Sequence, residues 1–310
     1  MAPASRLQKN HQIRFFESSS MRLIMVSGLS GSGKSVALDM LEDLDFYCVD
    51  NIPAGLLPGF IAYTVRTSET SYRQTAVGLD VRNRPEDLAE VPRLIDSLRK
   101  SGIGCEMLFL RAEKQVLLKR FSETRRRHPL SRAGIGLLEA LEQEERLLAP
   151  LANAADLTID TSHLSVHELR ELIRERVVER RATGPSLLFQ SFAYRHGVPD
   201  DADFVFDARA LPNPYWDPSL RDLTGRDEAV ARFLDGEPDV ARFFEDVRDF
   251  VGRWLPSLVR SNRSYLTVAV GCTGGQHRSV YLAERLAAHF SGAEGQALVR
   301  HRDLASRRHE

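Results

Sequence analysis

This chain of 310 residues has only three cysteines, a net charge near zero and no long apolar run. The three cysteines, Cys48, Cys105 and Cys272, lie far apart, which argues against a C-x-x-C zinc site or a disulfide framework and favours a reducing compartment. Lys and Arg number 42 against 43 Asp and Glu, so the overall charge attracts neither nucleic acid nor a membrane surface. No apolar run reaches the roughly 18 residues that a membrane-spanning helix requires. We therefore expect a cytoplasmic chain without a membrane partner.

The length of the chain and the position of its turn residues predict two domains. Residues 1–20 lack the apolar core of a signal peptide, and we expect them to be a disordered tail. Met21 directly precedes the first predicted strand and is a candidate start of the working protein. A polar joint around Gly184 and Pro185 separates a predicted domain at residues 21–182 from a second one at residues 186–310.

Short apolar strands alternate with amphipathic helices as far as about residue 180. This alternation predicts an α/β fold in which helices cover both faces of a parallel sheet. We place its strands at residues 23–27, 46–49, 75–79, 106–110 and 157–159. Ligands of such sheets bind at the carboxyl ends of the strands, where this chain has polar side chains. These side chains are Asp50, Asp80, Arg111, Asp160 and Thr161.

The segment after the first strand has the pattern G-x-x-x-x-G-K-[ST], as Gly28-Leu29-Ser30-Gly31-Ser32-Gly33-Lys34-Ser35. Its glycines let backbone N–H groups curl around phosphates without a Cβ clash, and the following helix adds its positive end. Lys34 would place a charge on the β- and γ-phosphates, and the Ser35 hydroxyl would bind Mg²⁺. The pattern predicts a P-loop for a nucleoside triphosphate. The alternative is a Gly/Ser-rich turn without a ligand.

A P-loop that holds Mg²⁺ usually has a carboxylate at the end of a neighbouring strand. Asp50 and Asp80 both follow predicted strands, so the candidate catalytic set is Lys34 and Ser35 with one of these two aspartates. The sequence leaves the choice open. Each aspartate could instead cap the next helix or turn.

Three consecutive arginines, Arg125, Arg126 and Arg127, stand between two predicted helices and before Pro129. In small P-loop kinases such arginines form a lid that closes over the phosphates and neutralises the transferring charge. The segment therefore predicts a phosphate-binding lid. A solvated helix end is the alternative, because charge runs are commonly exposed to water.

The second half contains another strand, glycine loop and helix at residues 265–290. The loop between Gly271 and Ser279 is a second potential anion cradle. Cys272 and Arg278 also have the C-x5-R spacing of thiolate phosphatases, with Asp207 or Asp217 as a conceivable acid. Phosphate binding, catalysis by Cys272 and a purely structural turn all remain open from the residues alone.

The C-terminal end concentrates positive charge in a chain that is neutral as a whole. Such a patch binds phosphodiester backbones with a salt-dependent affinity. The candidate RNA-binding residues are Arg300, Arg302, Arg307 and Arg308. The alternative is a solvated tail.

Several long and chemically unusual segments resemble one family, the RapZ and YvcJ-type P-loop nucleotide-binding proteins, over about residues 21–308. Besides the P-loop, they are residues 46–53 (FYCVDNIP), 80–83 (DVRN), 125–130 (RRRHPL), 211–214 (LPNP) and 271–280 (GCTGGQHRSV). The resemblance implies an N-terminal kinase-like domain that binds and slowly hydrolyses ATP and GTP. It also implies a C-terminal α/β domain similar to the sugar-phosphate-binding part of phosphofructokinase.

By this resemblance, residues 28–35 form the ATP site, and Asp80, Val81, Arg82 and Asn83 form the GTP segment, although the guanine motif N-K-x-D is absent. The resemblance also implies a pocket for an amino-sugar phosphate such as glucosamine-6-phosphate. Its candidate residues are Asp207, Arg209, Asn213, Cys272, Thr273, Gly274, His277 and Arg278. Tyr215 stands where enterobacterial members have histidine, which is a departure at this pocket.

Enterobacterial members of the family bind small regulatory RNAs and present one of them to the endoribonuclease RNase E. The resemblance therefore implies an RNase adapter with an RNA and an endoribonuclease as partners, and we expect a homo-oligomer. Two alternatives remain from the sequence: a P-loop kinase of a small metabolite and a C-x5-R phosphatase.

Overall fold

The computed structural model describes residues 21–67, 70–131, 135–178, 185–261, 263–293 and 297–304. The predicted tail at residues 1–20, most of the joint around Gly184, and the candidate RNA-binding residues Arg307 and Arg308 lie outside the described residues.

The first sheet contains five parallel strands in the order β2-β3-β1-β4-β5. They are β1 (Arg22–Gly28), β2 (Tyr47–Val49), β3 (Gln74–Gly78), β4 (Gly104–Arg111) and β5 (Leu157–Asp160). This arrangement confirms the predicted α/β fold, and each strand lies within two residues of its predicted ends. The central position of β1 places the loop that follows it between the carboxyl ends of β3 and β4.

Helices cover both faces of this sheet, because alternate residues of each buried strand point to opposite faces. Leu23 and Met25 join a core with residues of α2 (Leu57–Thr67), α3 (Pro85–Lys100), α4 (Lys114–Thr124) and α5 (Leu137–Asn153). Ile24 and Val26 join a second core with α1 (Lys34–Asp43) and α6 (Val166–Ile173). Helix α6 ends at Ile173, and a π-helical turn, Arg174–Val178, follows it.

The second sheet contains four parallel strands in the order β7-β8-β6-β9. They are β6 (Ser186–Ala193), β7 (Phe204–Asp207), β8 (Tyr265–Cys272) and β9 (Ala297–His301). Three helices, α7 (Glu228–Asp235), α8 (Pro238–Arg260) and α9 (Arg278–Ala293), pack on one face of this sheet. Their apolar residues form a core of their own, in which Val247 and Leu286 lie with Phe189 and Val268 of the sheet.

Strand β9 corrects the prediction of an exposed basic end. Arg300 lies on β9 opposite Gln190 of β6 and is half-buried, and burial lowers its pKa. The side chain of Arg302 is only 6% exposed and donates to the backbone carbonyl of His196 at 3.1 Å. Arg300 is therefore part of the sheet and Arg302 directly follows it, so neither lies on a solvated tail.

The two sheets are joined by polar contacts near the carboxyl ends of β4 and β5. Arg111 at the end of β4 forms an ion pair of 2.8 Å with Asp200, and the N–H of Asp160 donates to Asp201 at 3.2 Å. On the other side of the junction, the fully buried Arg176 donates to the hydroxyl of Thr267 at 2.8 Å, and burial lowers the pKa of Arg176 to about 10. None of the helices in the described ranges is long and apolar enough to cross a membrane.

Candidate functional site

The loop between β1 and α1 has a backbone that favours glycine at three positions, one of which is Gly31 with φ +86°. Gly28 has φ +146°, and a Cβ there would lie 2.1 Å from the carbonyl oxygen of Leu110. Gly33 has φ +102°, and a Cβ there would lie 2.8 Å from Leu169. Both of the glycines that the motif specifies are therefore required by the local geometry. The turn they allow is the shape of a P-loop.

The Lys34 ammonium lies inside this loop, where it donates to the carbonyls of Gly28 at 2.6 Å and Leu29 at 3.1 Å. Burial lowers the pKa of Lys34, and the carboxylates of Glu144, Asp80 and Asp50 oppose that shift. The cation is thus held against two weak acceptors that a phosphate oxygen could replace.

Two further groups of the loop fit a phosphate and its counter-ion. The buried hydroxyl of Ser32 has no hydrogen-bond partner among the described residues, so it is a donor that a ligand oxygen could satisfy. Helix α1 begins at Lys34, which puts the exposed Ser35 in its first turn, where the helix dipole favours an anion.

The structure separates the two candidate carboxylates. Asp80 is buried. Its carboxylate accepts hydrogen bonds from the backbone N–H of Arg82 at 2.9 Å and from the Nε of Arg82 at 2.7 Å. Asp50 is exposed at the end of β2 and makes no side-chain hydrogen bond or ion pair with the described residues. Its Oδ1 lies over Gly78, where a Cβ would come within 2.6 Å of it. The carboxylate oxygens of Asp50 are therefore available to bind a cation, whereas the charge of Asp80 is neutralised by Arg82.

The segment predicted from the resemblance to bind GTP, Asp80 to Asn83, uses most of its polar groups within the fold. Asn83 accepts from the N–H of Ala54 and donates to the carbonyl of Asp80 at 3.2 Å, while Arg82 pairs with Asp80. Val81 is buried. These contacts shape the turn after β3, and the GTP role of the segment stays a prediction.

The predicted lid lies next to a buried pair that the sequence did not reveal. Arg125, Arg126 and Arg127 are all exposed, and Arg125 ends α4 with φ +51°. The next residue, His128, is fully buried and meets Glu144 of α5 at 2.9 Å. Glu144 in turn accepts from the backbone N–H of Ser30 at 2.9 Å.

Arg120 is another functional candidate that sequence patterns missed. From α4 it donates to the carbonyl of Gly31 at 3.0 Å and to the hydroxyl of Thr161 at 2.9 Å. The Thr161 hydroxyl also donates to the carbonyl of Ser32 at 3.0 Å. The P-loop is therefore tied to α4 and to the end of β5, next to the junction with the second sheet.

The second glycine loop, between β8 and α9, also requires its glycines. A Cβ at Gly271 would lie 2.4 Å from the ring of Phe192, and Gly275 has φ +66°. A Cβ at Gly274 would meet nothing within 4 Å, so the loop is open on that side. Helix α9 begins at Arg278, which places its positive end at this opening.

The side chains of this loop are held by the segment after β7. Arg278 is buried and donates to the carbonyls of Arg209 at 2.9 Å and Leu211 at 2.8 Å, while its Nε has no partner among the described residues. Burial lowers the pKa of Arg278. Buried His277 meets the carbonyl of Leu220 at 3.2 Å. Arg278 thus offers a buried cation with an unused donor, as a phosphate site needs.

Two family models together match most of the chain. Residues 21–181 match the RapZ-like N-terminal domain, and residues 185–305 match the RapZ C-terminal domain. The chain belongs to the RapZ family. A relative from Alkalilimnicola ehrlichii, named a nucleotide-binding protein, is 54% identical over 92% of this chain and 99% of the relative. Another nucleotide-binding protein, from Thioalkalivibrio sulfidiphilus, is 54% identical over 92% of this chain and 100% of the relative.

Solved structures with partial similarity include two shikimate kinases. The enzyme from Bacteroides thetaiotaomicron is 15% identical, with a TM-score of 0.34 over 50% of this chain and 98% of the kinase. The enzyme from Acinetobacter baumannii, in complex with shikimate, is 18% identical, with a TM-score of 0.33 over 53% of this chain and 97% of the kinase.

The remaining RapZ-family pocket candidates line the approach to the second loop. The Nη2 of Arg209 lies 2.7 Å from the carboxylate of Asp207. The guanidinium of Arg209 also stacks on Tyr194, 3.9 Å from the centre of its ring. Asn213 accepts from the N–H of Tyr215 at 3.4 Å, and Tyr215 is exposed. Thr273 is exposed beside Arg278, 3.4 Å from its Nη2.

The thiol of Cys272 lies below the loop surface in this RapZ-family chain. It is 2% exposed and meets the hydroxyl of Ser279 at 3.1 Å. The hydrogen bond from Arg209 lowers the pKa of Asp207, and the hydrogen bond from Ser219 lowers the pKa of Asp217. Both hydrogen bonds favour the charged form of the aspartate, whereas a general acid must carry a proton to donate.

Asp303 and His196 also join this loop, although no sequence pattern pointed to them. His196 Nδ1 lies 2.5 Å from the carboxylate of Asp303, and the backbone carbonyl of Asp303 accepts from Gln276 at 2.9 Å. The Oε1 of Gln276 is buried without a partner among the described residues. The signal in the sequence was weak because Asp303 lies 107 residues from His196.

Proposed function

We propose that this RapZ-family chain binds ATP or GTP with Mg²⁺ at residues 28–35 and hydrolyses it slowly, as the nucleotide-dependent part of a cytoplasmic regulator. The observation that carries the proposal is the glycine-dependent loop that holds Lys34 and the unpartnered Ser32 hydroxyl at the carboxyl end of β1. The curated relatives are named nucleotide-binding proteins, which agrees with the nucleotide-binding part of the proposal.

The oxygen ligands at the P-loop suit Mg²⁺, which binds few protein groups and keeps the rest of its shell as water and phosphate. The exposed Ser35 hydroxyl and the exposed Asp50 carboxylate would hold it. Bound there, Mg²⁺ would neutralise phosphate charge. Lys34 and the N-terminus of α1 would orient the triphosphate, and the exposed Arg125, Arg126 and Arg127 would cover its far end.

Release of radiolabelled phosphate from ATP and from GTP, with and without Mg²⁺, tests this proposal. Slow, Mg²⁺-dependent release without an added metabolite supports it. A phosphorylated small molecule formed at a much higher rate would favour the alternative kinase function. Absence of nucleotide binding by calorimetry would reject both.

We further propose that the loop at residues 271–279 binds the phosphate of an amino-sugar phosphate, such as glucosamine-6-phosphate. The support is the open Gly274, the unused Nε of buried Arg278 and the positive end of α9. The burial of Cys272, and the Arg209 contact that lowers the pKa of Asp207, favour binding over phosphatase chemistry.

We propose, from the family resemblance, that the chain acts as a homo-oligomeric adapter that presents a small regulatory RNA to an endoribonuclease. Arg307 and Arg308 remain the candidate RNA contacts, since Arg300 and Arg302 are largely taken up by the fold. Crosslinking in cells followed by RNA sequencing and mass spectrometry would identify the RNA and the protein partner, and recovery of neither would reject this role.

A further inference from the structure

The side chain of Glu144 on α5 is fully buried and joins two segments of the candidate nucleotide site. Its Oε1 accepts from the Ser30 hydroxyl at 2.7 Å, and its Oε2 accepts from the Ser30 backbone N–H at 2.9 Å. The same Oε2 lies 2.9 Å from Nε2 of His128. One carboxyl group thus contacts three polar groups, and the backbone N–H of Ser30 can only donate to it.

The hydrogen bonds of His128 define which of its nitrogens carries the proton. Its Nδ1 lies 3.1 Å from the backbone nitrogen of Leu130, which can only donate. Nδ1 therefore has a lone pair, and Nε2 carries the hydrogen that is donated to Glu144. The imidazole packs against the ring of Phe121 at a centroid distance of 5.4 Å. His128 is thus fixed in both position and tautomer.

Through these contacts the P-loop and the arginine segment meet at one buried charge. Ser30 and Gly31 form the apex of the P-loop, and a Cβ at Gly31 would contact Leu117 and Phe121 of α4 at 3.5 Å. His128 directly follows Arg125, Arg126 and Arg127. Glu144 therefore links the loop apex to the arginine segment through direct contacts with Ser30 and His128.

We propose that Glu144 is a positioning residue that fixes the apex of the P-loop. Through His128 it also holds the arginine segment, residues 125–127, at a defined position relative to that apex. This inference rests on the proposed nucleotide binding and adds the device that organises the site. The negative charge of Glu144 also stabilises the buried Lys34 ammonium, for which it is the largest favourable charge. Glu144 acts through Ser30 and His128 in this role, because its fully buried carboxyl group contacts these two residues.

Hydrogen exchange of the peptide spanning residues 27–36 tests this role independently of nucleotide. We expect Glu144→Ala and Glu144→Gln to speed exchange at the Ser30 amide by about tenfold or more, because that N–H loses its charged acceptor. His128→Ala should loosen the segment 125–130 as well. Glu145→Gln is the matched control, since Glu145 is the next residue on α5 and is exposed. It should leave exchange unchanged.

Binding of a fluorescent ATP analogue supplies the second readout. We expect Glu144→Gln to weaken binding by about tenfold, with Ser30→Ala, which removes only the hydrogen bond of the hydroxyl, giving a smaller loss. Lys34→Ala should lose binding and yet keep the Ser30 amide protected. Unchanged Ser30 exchange in both Glu144 variants would overturn the inference. So would tighter nucleotide binding by Glu144→Gln, because Glu144 would then compete with phosphate. If the parent chain binds no nucleotide, the proposed function fails, and the exchange result alone decides the positioning role.

Discussion

Arg82 encloses the carboxylate of Asp80 through its backbone N–H and its guanidinium, with contacts of 2.9 Å and 2.7 Å. This pairing leaves Asp50, at the end of the neighbouring strand β2, as the carboxylate with free oxygen atoms. The two aspartates looked equivalent in the sequence, since each follows a predicted strand. The structure gives them different surroundings: Asp80 shapes a turn with Arg82, and Asp50 is exposed at the end of β2.

Substituting the two aspartates should therefore have different effects. Asp50→Asn should lower Mg²⁺-dependent hydrolysis by roughly 100-fold and raise the Mg²⁺ concentration required, because a charged ligand is removed. Asp80→Asn should instead reduce the free energy of unfolding by about 1–3 kcal/mol, since Arg82 loses its charged acceptor. Mg²⁺ titrations of phosphate release, with denaturant unfolding of each variant, measure both effects. The reverse pattern would identify Asp80 as the Mg²⁺ ligand.

Lys34→Ala should reduce the hydrolysis of both ATP and GTP by roughly 100-fold to 1,000-fold, because a preorganised cation is removed from the phosphates. Folding should be retained, since the ammonium contacts only two loop carbonyls. Lys119→Ala is the matched control, as Lys119 lies on α4 with an exposed side chain. Phosphate release at saturating nucleotide is the measurement, and wild-type turnover by Lys34→Ala would place hydrolysis elsewhere.

The second loop allows binding and catalysis to be separated. Arg278→Lys keeps the charge but loses the planar fork, so it should weaken glucosamine-6-phosphate binding by at least about tenfold in calorimetry. Cys272→Ala should leave a well-folded chain with no phosphatase activity to lose, because the thiol is buried against Ser279. A phosphocysteine trapped from a phosphorylated substrate would contradict this and support the phosphatase alternative.

His301 should make the stability of the chain sensitive to mild acid. It lies on β9 with a 4% exposed side chain, between Ser191 at 2.8 Å and Glu284 at 3.0 Å, and burial lowers its pKa from 6.5. The unfolded chain then binds a proton more readily than the folded one. Stability is therefore complete above about pH 6.5 and falls as the pH decreases below it. Thermal unfolding between pH 7.5 and 5 should show this slope, and His301→Gln should flatten it. An equal slope in both proteins would exclude His301 as the cause.

Local patterns predicted the parts of the fold that short segments determine. Gly28 and Gly33 revealed the P-loop because a fixed spacing encodes its backbone, and the apolar runs revealed the five strands of the first sheet. Strand β9 was missed because Ala297–His301 is short and ends in charged residues, and only its pairing with β6 makes it a strand. The Glu144 contact was missed because Ser30 lies 114 residues away. The spacing of apolar residues along a chain does not predict a polar contact between residues so far apart in sequence.

The position of β9 changes what is expected of the C-terminal arginines in RNA binding. Arg307→Ala with Arg308→Ala should flatten the log–log salt dependence by roughly 0.7 for each phosphate of single-stranded RNA that is no longer neutralised. Arg302→Ala should mainly lower the melting temperature, because its guanidinium holds the carbonyls of His196 and Gly197. Filter binding at several salt concentrations, paired with thermal unfolding, distinguishes the two sets of variants. Nucleotide hydrolysis should survive in both, since the P-loop lies on the first sheet. An unchanged salt slope in the Arg307 and Arg308 variant would remove the tail from the RNA interface and move the search to the exposed arginines beside the P-loop.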